Sequence, residues 1–144
     1  MADVLQDFPI AASPDRVFDA ISTPAGIDQW WSLSSSGTPV EGSVYALDFG
    51  PEYQWQARVV RSVPDKEFEL ELTSAMPDWL GTRVGFALED LGNGRTWVRF
   101  HHTGWPDAGE HYRTSSHCWA LYLRILRRFV EHGETVPYGE RLNV

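Results

Sequence analysis

Residues 107–131 read DAGEHYRTSSHCWALYLRILRRFVE, and the spacing within this stretch decides the fold. Tyr112, Ser115, Ser116, Trp119, Tyr122, Leu123, Leu126, Phe129 and Val130 recur at three- and four-residue intervals, which places them on one broad face of a helix. Arg113, Arg124, Arg127 and Arg128 fall mainly elsewhere on the wheel. Asp107 and Glu110 at the start, with the arginines at the end, complement the helix dipole and stay solvated. At about 1.5 Å per residue the helix spans about 37 Å, enough to lie across a whole sheet. A curved sheet closing on one such helix leaves room for a pocket between them.

Working back from that helix, the chain is dominated by an antiparallel β-pattern. Two hairpins are visible. Residues 55–62 and 67–73 flank Val63-Pro64-Asp65-Lys66, and residues 82–90 and 96–103 flank Leu91-Gly92-Asn93-Gly94-Arg95, a strong turn signal. In the first hairpin, facing Ser62 with Glu67 sets Arg58 against Glu71, Val59 against Leu70 and Ala57 against Leu72. Opposite charges then meet and apolar meets apolar. Phe68, Leu70 and Leu72 point inward from this hairpin, and Val84, Phe86, Leu88, Val98, Phe100 and His102 from the next. Residues 4–11 and 43–49 supply two further strands. Between them, Ser13-Pro14-Asp15 starts a short helix, residues 25–31 form a second one ending in Trp30-Trp31, and residues 32–42 are a loop. The order β-α-α-β-β-β-β-β-α is α+β: a six-stranded antiparallel sheet with its helices on one side.

Length and composition set the class. The 144 residues fit one domain, 1–144, with a real core. A net charge of −8 argues against a general nucleic-acid binder, which needs a basic surface. No apolar run approaches the length of a membrane helix, no secretory signal is visible, and one cysteine fits a reducing, cytoplasmic setting. Aromatic residues make up 13% of the chain, either a generously packed core or the walls of an apolar cavity.

Motifs for chemistry are scarce. Ser34-Ser35-Ser36-Gly37 is not a nucleophile elbow, and Cys118, mid-helix, reads as a buried inert thiol. His101 and His102 point to opposite faces of one strand, and His111 and His117 lie roughly opposite each other on the helix. No metal site and no cofactor are expected. Acid–base candidates are His102, Tyr112 and less clearly Asp48 or Arg61, although His102 and Tyr112 read more readily as structural groups. Of Trp30 and Trp31, one anchors the core, and the other lines the pocket mouth or contacts a partner.

The segment IAASPDRVFDAI at 10–21, Gln29-Trp30-Trp31, His102-Thr103-Gly104-Trp105, and the closing helix with Tyr112, Trp119 and Glu131-His132-Gly133 resemble the helix-grip superfamily (START-like, SRPBCC, Bet v 1-like). Within it the chain is most similar to the branch named after the C-terminal domain of the activator of heat-shock protein 90 ATPase. The resemblance covers essentially the whole chain. It implies a six-stranded sheet gripping the C-terminal helix around a hydrophobic cavity, but little about activity, because the fold hosts lipid carriers, hormone receptors, polyketide cyclases and co-chaperone domains.

Three functions stand as expectations. The first is binding of a small apolar or amphipathic molecule, with Trp31, Trp55, Phe68, Phe86, Phe100, His102, Tyr112, Ser116, Trp119 and Leu123 lining the cavity. His102, Tyr112 and Ser116 would orient the ligand's polar end. The second is cofactor-free cyclase, dehydratase or hydrolase chemistry in the same cavity, which requires two titratable groups converging there. The third is an interaction module, a homodimer or a stress-related co-chaperone-like domain, using aromatics around Trp30, Trp79 and Trp105.

Overall fold

The computed structural model covers residues 1–144. Seven strands form one antiparallel sheet: β1 (Ala2–Ile10), β2 (Ser34–Ser36), β3 (Val44–Asp48), β4 (Gln54–Val63), β5 (Glu67–Ser74), β6 (Arg83–Gly92) and β7 (Arg95–Trp105). Their order across the sheet is β1-β7-β6-β5-β4-β3-β2. Two short helices, α1 (Pro14–Ser22) and α2 (Pro24–Ile27), follow β1, and the long α3 (Glu110–His132) follows β7. A 3-10 helix, Tyr138–Asn143, ends the chain. This is the α+β helix-grip arrangement, with one strand more than the six expected. The addition is β2, three residues of the Ser-rich loop that pair with Ala46–Asp48.

The first hairpin shows how a local irregularity escapes pattern reading. Ala57, Val59 and Arg58 pair with Leu72, Leu70 and Glu71 as expected, but Ser62 faces Phe68 and Val63 faces Glu67. The register shifts by one between Val59 and Arg61, so Val60 is an extra residue. The turn is therefore three residues, Pro64-Asp65-Lys66, with Asp65 at φ 65°. Inward parity survives because Phe68, Leu70 and Leu72 are set by β5, not by the turn. In the second hairpin Gly92 faces Arg95, leaving Asn93-Gly94 as a two-residue turn with φ 56° and 69°, the I′ geometry that suits strand twist.

The helices are fixed to the sheet's inner face by a few polar bonds among many apolar contacts. The Tyr45 hydroxyl on β3 donates to the Ser22 carbonyl at 2.5 Å, and the Trp30 indole donates to the Ala20 carbonyl at 3.0 Å. Gly26 lets α2 fold back on α1: a Cβ there would lie 2.7 Å from the Ala20 backbone. The C-terminal segment is tied down by Arg141, which donates to the carbonyls of Asp28 (2.7 Å), Ser32 (3.0 Å) and Val136 (3.2 Å).

Candidate functional site

Under the middle of α3 the fold is filled. Trp119 projects down from the helix, its ring 4.6 Å from Phe100 and 5.3 Å from Trp31, centroid to centroid. Below it His102 is fully buried and has both nitrogens committed. The Trp119 indole N–H donates to His102 Nδ1 at 3.0 Å. The Thr82 hydroxyl gives its single proton to the Trp79 carbonyl (2.6 Å), so at 2.8 Å it accepts from His102 Nε2–H. The network thus fixes one neutral tautomer. Burial, reinforced by His101 and His111, pushes the His102 pKa down to about 3. Such a buried, doubly bonded histidine ties the sheet to the helix.

The open space lies to one side, toward the N-terminal half of α3. A cleft of about 410 Å³ is lined by thirteen residues, ten of them hydrophobic. One wall is the α3 face His111, Thr114, Ser115, Cys118, Trp119 and Tyr122. The opposite wall comes from Phe49, Tyr53 and Trp55 around the β3–β4 turn, and from Met76 and Trp79 in the β5–β6 loop. Trp31 and Tyr138 close the remaining side. Rings run continuously along it: Trp31–Phe49 at 5.4 Å, Phe49–Trp55 at 5.1 Å, Trp55–Trp79 at 4.9 Å and Trp79–Trp119 at 6.0 Å. Another hollow, about 780 Å³ between the start of α1 and the β4–β5 turn, has only two hydrophobic residues among nine. It offers no comparable apolar burial.

Of the ten residues expected to line a cavity, the cleft brings together Trp31, Trp55 and Trp119. Phe68, Phe86, Phe100 and His102 face inward as strand parity requires but are packed into the core, where α1, α2 and the tryptophans cover them. Tyr112 turns toward β1, its hydroxyl donating to the Asp3 carbonyl at 2.7 Å, with its ring edge-on to Trp105. Ser116 lies on that same side, its carbonyl accepting from Gln6 at 3.4 Å, and Leu123 borders a groove with Gln6 and Phe8. The helical face assigned to the cavity was therefore about one residue, roughly 100°, out of phase. The face that lines the cleft is His111, Thr114/Ser115, Cys118/Trp119 and Tyr122, the same three-and-four spacing begun one position earlier. Tyr53, Met76, Trp79 and Tyr138 carry no periodic signal, because they sit in turns and in the terminal segment, whereas Phe49 continues the alternation of Tyr45 and Leu47 at the end of the expected strand 43–49. Trp30, Trp79 and Trp105 do not form the exposed aromatic surface expected of them: their exposures are 1%, 7% and 1%. Neither Asp48 nor Arg61 reaches the cleft lining.

The polar groups of the cleft are few. Burial raises the pKa of the Cys118 thiol and pushes that of the Tyr122 hydroxyl up to about 12, so both are neutral and weakly reactive. The Tyr138 hydroxyl donates to the Phe49 carbonyl at 3.1 Å, joining the terminal segment to the cleft wall. His111 Nδ1 lies 2.5 Å from Asp78 Oδ2, bridging the start of α3 to the β5–β6 loop. The indole nitrogens of Trp79 and Trp105 make no hydrogen bond, a cost borne by this crowded aromatic cluster. The chain holds no group of three or more potential ligands placed to bind a metal, and no helix is long and apolar enough to cross a membrane.

Residues 11–131 match the family model described as activator of Hsp90 ATPase homolog 1-like protein. The chain belongs to that family. A similar solved structure, the Aha1 dimer from Colwellia psychrerythraea, is 30% identical, with TM-score 0.83 over 93% of this chain and 99% of that one. A protein from Mesorhizobium loti (21% identity, TM-score 0.77, 92% and 99% coverage) shares the fold. So does CalU16 from Micromonospora echinospora (19% identity, TM-score 0.74, 98% and 84% coverage). No curated protein matches significantly. Membership in the activator of Hsp90 ATPase homolog 1-like family thus fixes the fold, while function rests on what this chain's own cleft can hold.

Proposed function

We propose that this family member binds a small, largely apolar molecule in the cleft between α3 and the β3–β4 and β5–β6 turns. The observation that carries the reading is the continuous aromatic wall from Trp31 through Phe49, Trp55 and Trp79 to Trp119, around a volume of about 410 Å³. Apolar pockets of this size, with a few convergent polar groups, are what small-molecule sites look like. Planar rings on the walls favour a flat, unsaturated occupant through offset and edge-on contacts. Binding is the reading favoured over acid–base chemistry by His102, Cys118 and Tyr122, which burial disposes to the neutral form. A homodimer belongs to the same proposal, since the Colwellia relative is described as a dimer.

Cys118, the chain's single thiol, lies on the cleft wall and reports its occupancy. N-phenyl-1-naphthylamine should gain fluorescence on binding and slow alkylation of Cys118 by iodoacetamide, and Trp55→Ala should weaken both effects. Native mass spectrometry of protein from its own host should show a co-purifying small molecule. A probe that binds without protecting Cys118 would place the site elsewhere. Light scattering that gives a monomer mass at every concentration would remove the dimer.

A further inference from the structure

The cleft has one polar corner, and its chemistry is specific. His111 starts the cleft-facing side of α3, with its ring stacked on Trp79 (6.3 Å, interplanar angle 30°) and edge-on to Trp105 (5.7 Å). Its Nδ1 meets the Asp78 carboxylate at 2.5 Å. An ionised carboxylate can only accept, so this contact puts a proton on Nδ1 and leaves Nε2 as the ring nitrogen open to a ligand. Nε2 makes no hydrogen bond within the chain. One helical turn on, Ser115 presents a second unmatched group. It is 6% exposed, lines the cleft, and makes no side-chain hydrogen bond. Its oxygen is not among the fully enclosed unpartnered atoms, which are Trp79 Nε1 and Trp105 Nε1 alone. A buried hydroxyl that neither bonds its own helix nor is sealed off has the cleft as its outlet. Two polar groups therefore await partners on one wall of an otherwise aromatic hollow.

We propose that this corner selects a ligand carrying a neutral, acidic hydroxyl, a phenol or an enol on a flat unsaturated frame. The hydroxyl donates to His111 Nε2, and the Ser115 hydroxyl donates to the same ligand oxygen. The inference deepens the cleft-binding reading and rests on it. Charge decides against a carboxylic acid: Asp78 already places one negative charge beside the ring, and the chain carries −8 in total. A ligand carboxylate would meet repulsion from Asp78 there, whereas a neutral hydroxyl brings no charge to the corner. Asp78 acts as a positioning residue. It touches the histidine rather than the ligand, and sets which nitrogen faces the cleft.

The test compares 2-naphthol, 2-methoxynaphthalene and 2-naphthoate by tryptophan quenching and calorimetry. The methyl ether keeps the frame and the acceptor oxygen but cannot donate. The wild-type protein should bind 2-naphthol about tenfold more tightly than the ether, the worth of one hydrogen bond to a charge-supported acceptor, and should bind 2-naphthoate more weakly than 2-naphthol. His111→Phe keeps an aromatic ring against Trp79 and should erase the preference while the ether still binds. Asp78→Asn can donate to Nδ1 as well as accept from it, so it allows the other tautomer and should shrink the preference. Should His111→Phe not fold, Asp78→Asn and Ser115→Ala carry the same comparison. Equal binding of naphthol and ether to the wild-type protein overturns the anchor and leaves the cleft intact. So does a preference that survives in His111→Phe, or a naphthoate that binds best. Failure of all three probes to bind at about 1 mM overturns the cleft reading as well.

Discussion

Replacing His102 should change how stability depends on pH, by an amount that follows from its burial. The folded protein holds this imidazole neutral, with a pKa near 3, because burial and the fixed Trp119 and Thr82 hydrogen bonds leave no place for a second proton. In the unfolded chain the same group titrates at about 6.5. Between those values the unfolded state binds more protons, so stability rises with pH in this window and falls as acid is added below about pH 6.5. At about pH 5 the loss is the distance from the unfolded pKa, about 1.5 units, or about 2 kcal/mol at 1.36 kcal/mol per unit. That figure does not depend on the folded value so long as it lies well below 5. Urea unfolding followed by tryptophan fluorescence at about pH 7 and pH 5 measures it in the wild type and in His102→Gln. The variant will be less stable at both pH values, because it loses ring contacts with Trp79 at 4.4 Å and Trp105 at 4.7 Å. The comparison is therefore of differences between the two pH values, in which shared carboxylates and the other histidines largely cancel. The wild type should lose about 2 kcal/mol more than the variant over this interval. Equal losses, or an NMR titration of folded His102 with a midpoint near 6.5, would refute the reasoning.

Arg141→Ala removes three hydrogen bonds to backbone carbonyls and leaves those of Asp28 and Ser32 without their guanidinium donor, so the terminal segment should detach. Hydrogen exchange of residues 136–143 should accelerate, and global stability should drop by about 2 kcal/mol, within the range for a buried charged donor. Gly26→Ala drives a Cβ to 2.7 Å from backbone atoms of Asp19 and Ala20, which cannot swing aside as a side chain could. A loss of about 2 kcal/mol or more in chemical denaturation is expected; a neutral substitution would show that α1 and α2 separate easily. Thr82→Val strands the His102 Nε2–H in the core and should cost about 1–3 kcal/mol by the same measurement.

Much of the fold could be read because independent signals agreed. Alternation along β5, β6 and β7 gave the inward set, the Asn93-Gly94 turn fixed one hairpin, and the α3 apolar spacing supplied the gripping helix. What escaped was structure with no period. The bulge at Val60 adds one residue to a strand whose β-branched and charged neighbours read the same way in either register. The three residues of β2 are Ser-rich, so composition marks them as a loop, and they form a strand only because β3 offers an unpaired edge.

The displaced cleft has a packing cause. Strand parity correctly turned Phe68, Phe86, Phe100 and His102 inward, but inward is not the same as lining a cavity. Trp30 meets Phe86 at 5.8 Å, Phe18 meets Phe68 at 6.3 Å, and Trp119 descends from α3 onto Phe100 and into a hydrogen bond with His102. Side chains from α1, from the turn after α2 and from α3 thus occupy the centre of the grip. The space that remains is where α3 has left the sheet's centre behind and the covering groups come from turns: Phe49 and Tyr53, Met76 and Trp79, and Tyr138. Except for Phe49, these residues carry no periodicity to read, and the helix phase cannot be set to one residue from spacing alone when Ser115 and Ser116, or Tyr122 and Leu123, are adjacent candidates. His111 fell outside the expected face for that reason, although its partner Asp78 makes it the most chemically distinctive residue of the cleft. Because the wall is built from turns and the terminal segment, it can change among relatives without disturbing the core. That separation explains how the fold alone, matched across proteins as distant as 19–21% identity, leaves the occupant to be read from the local residues.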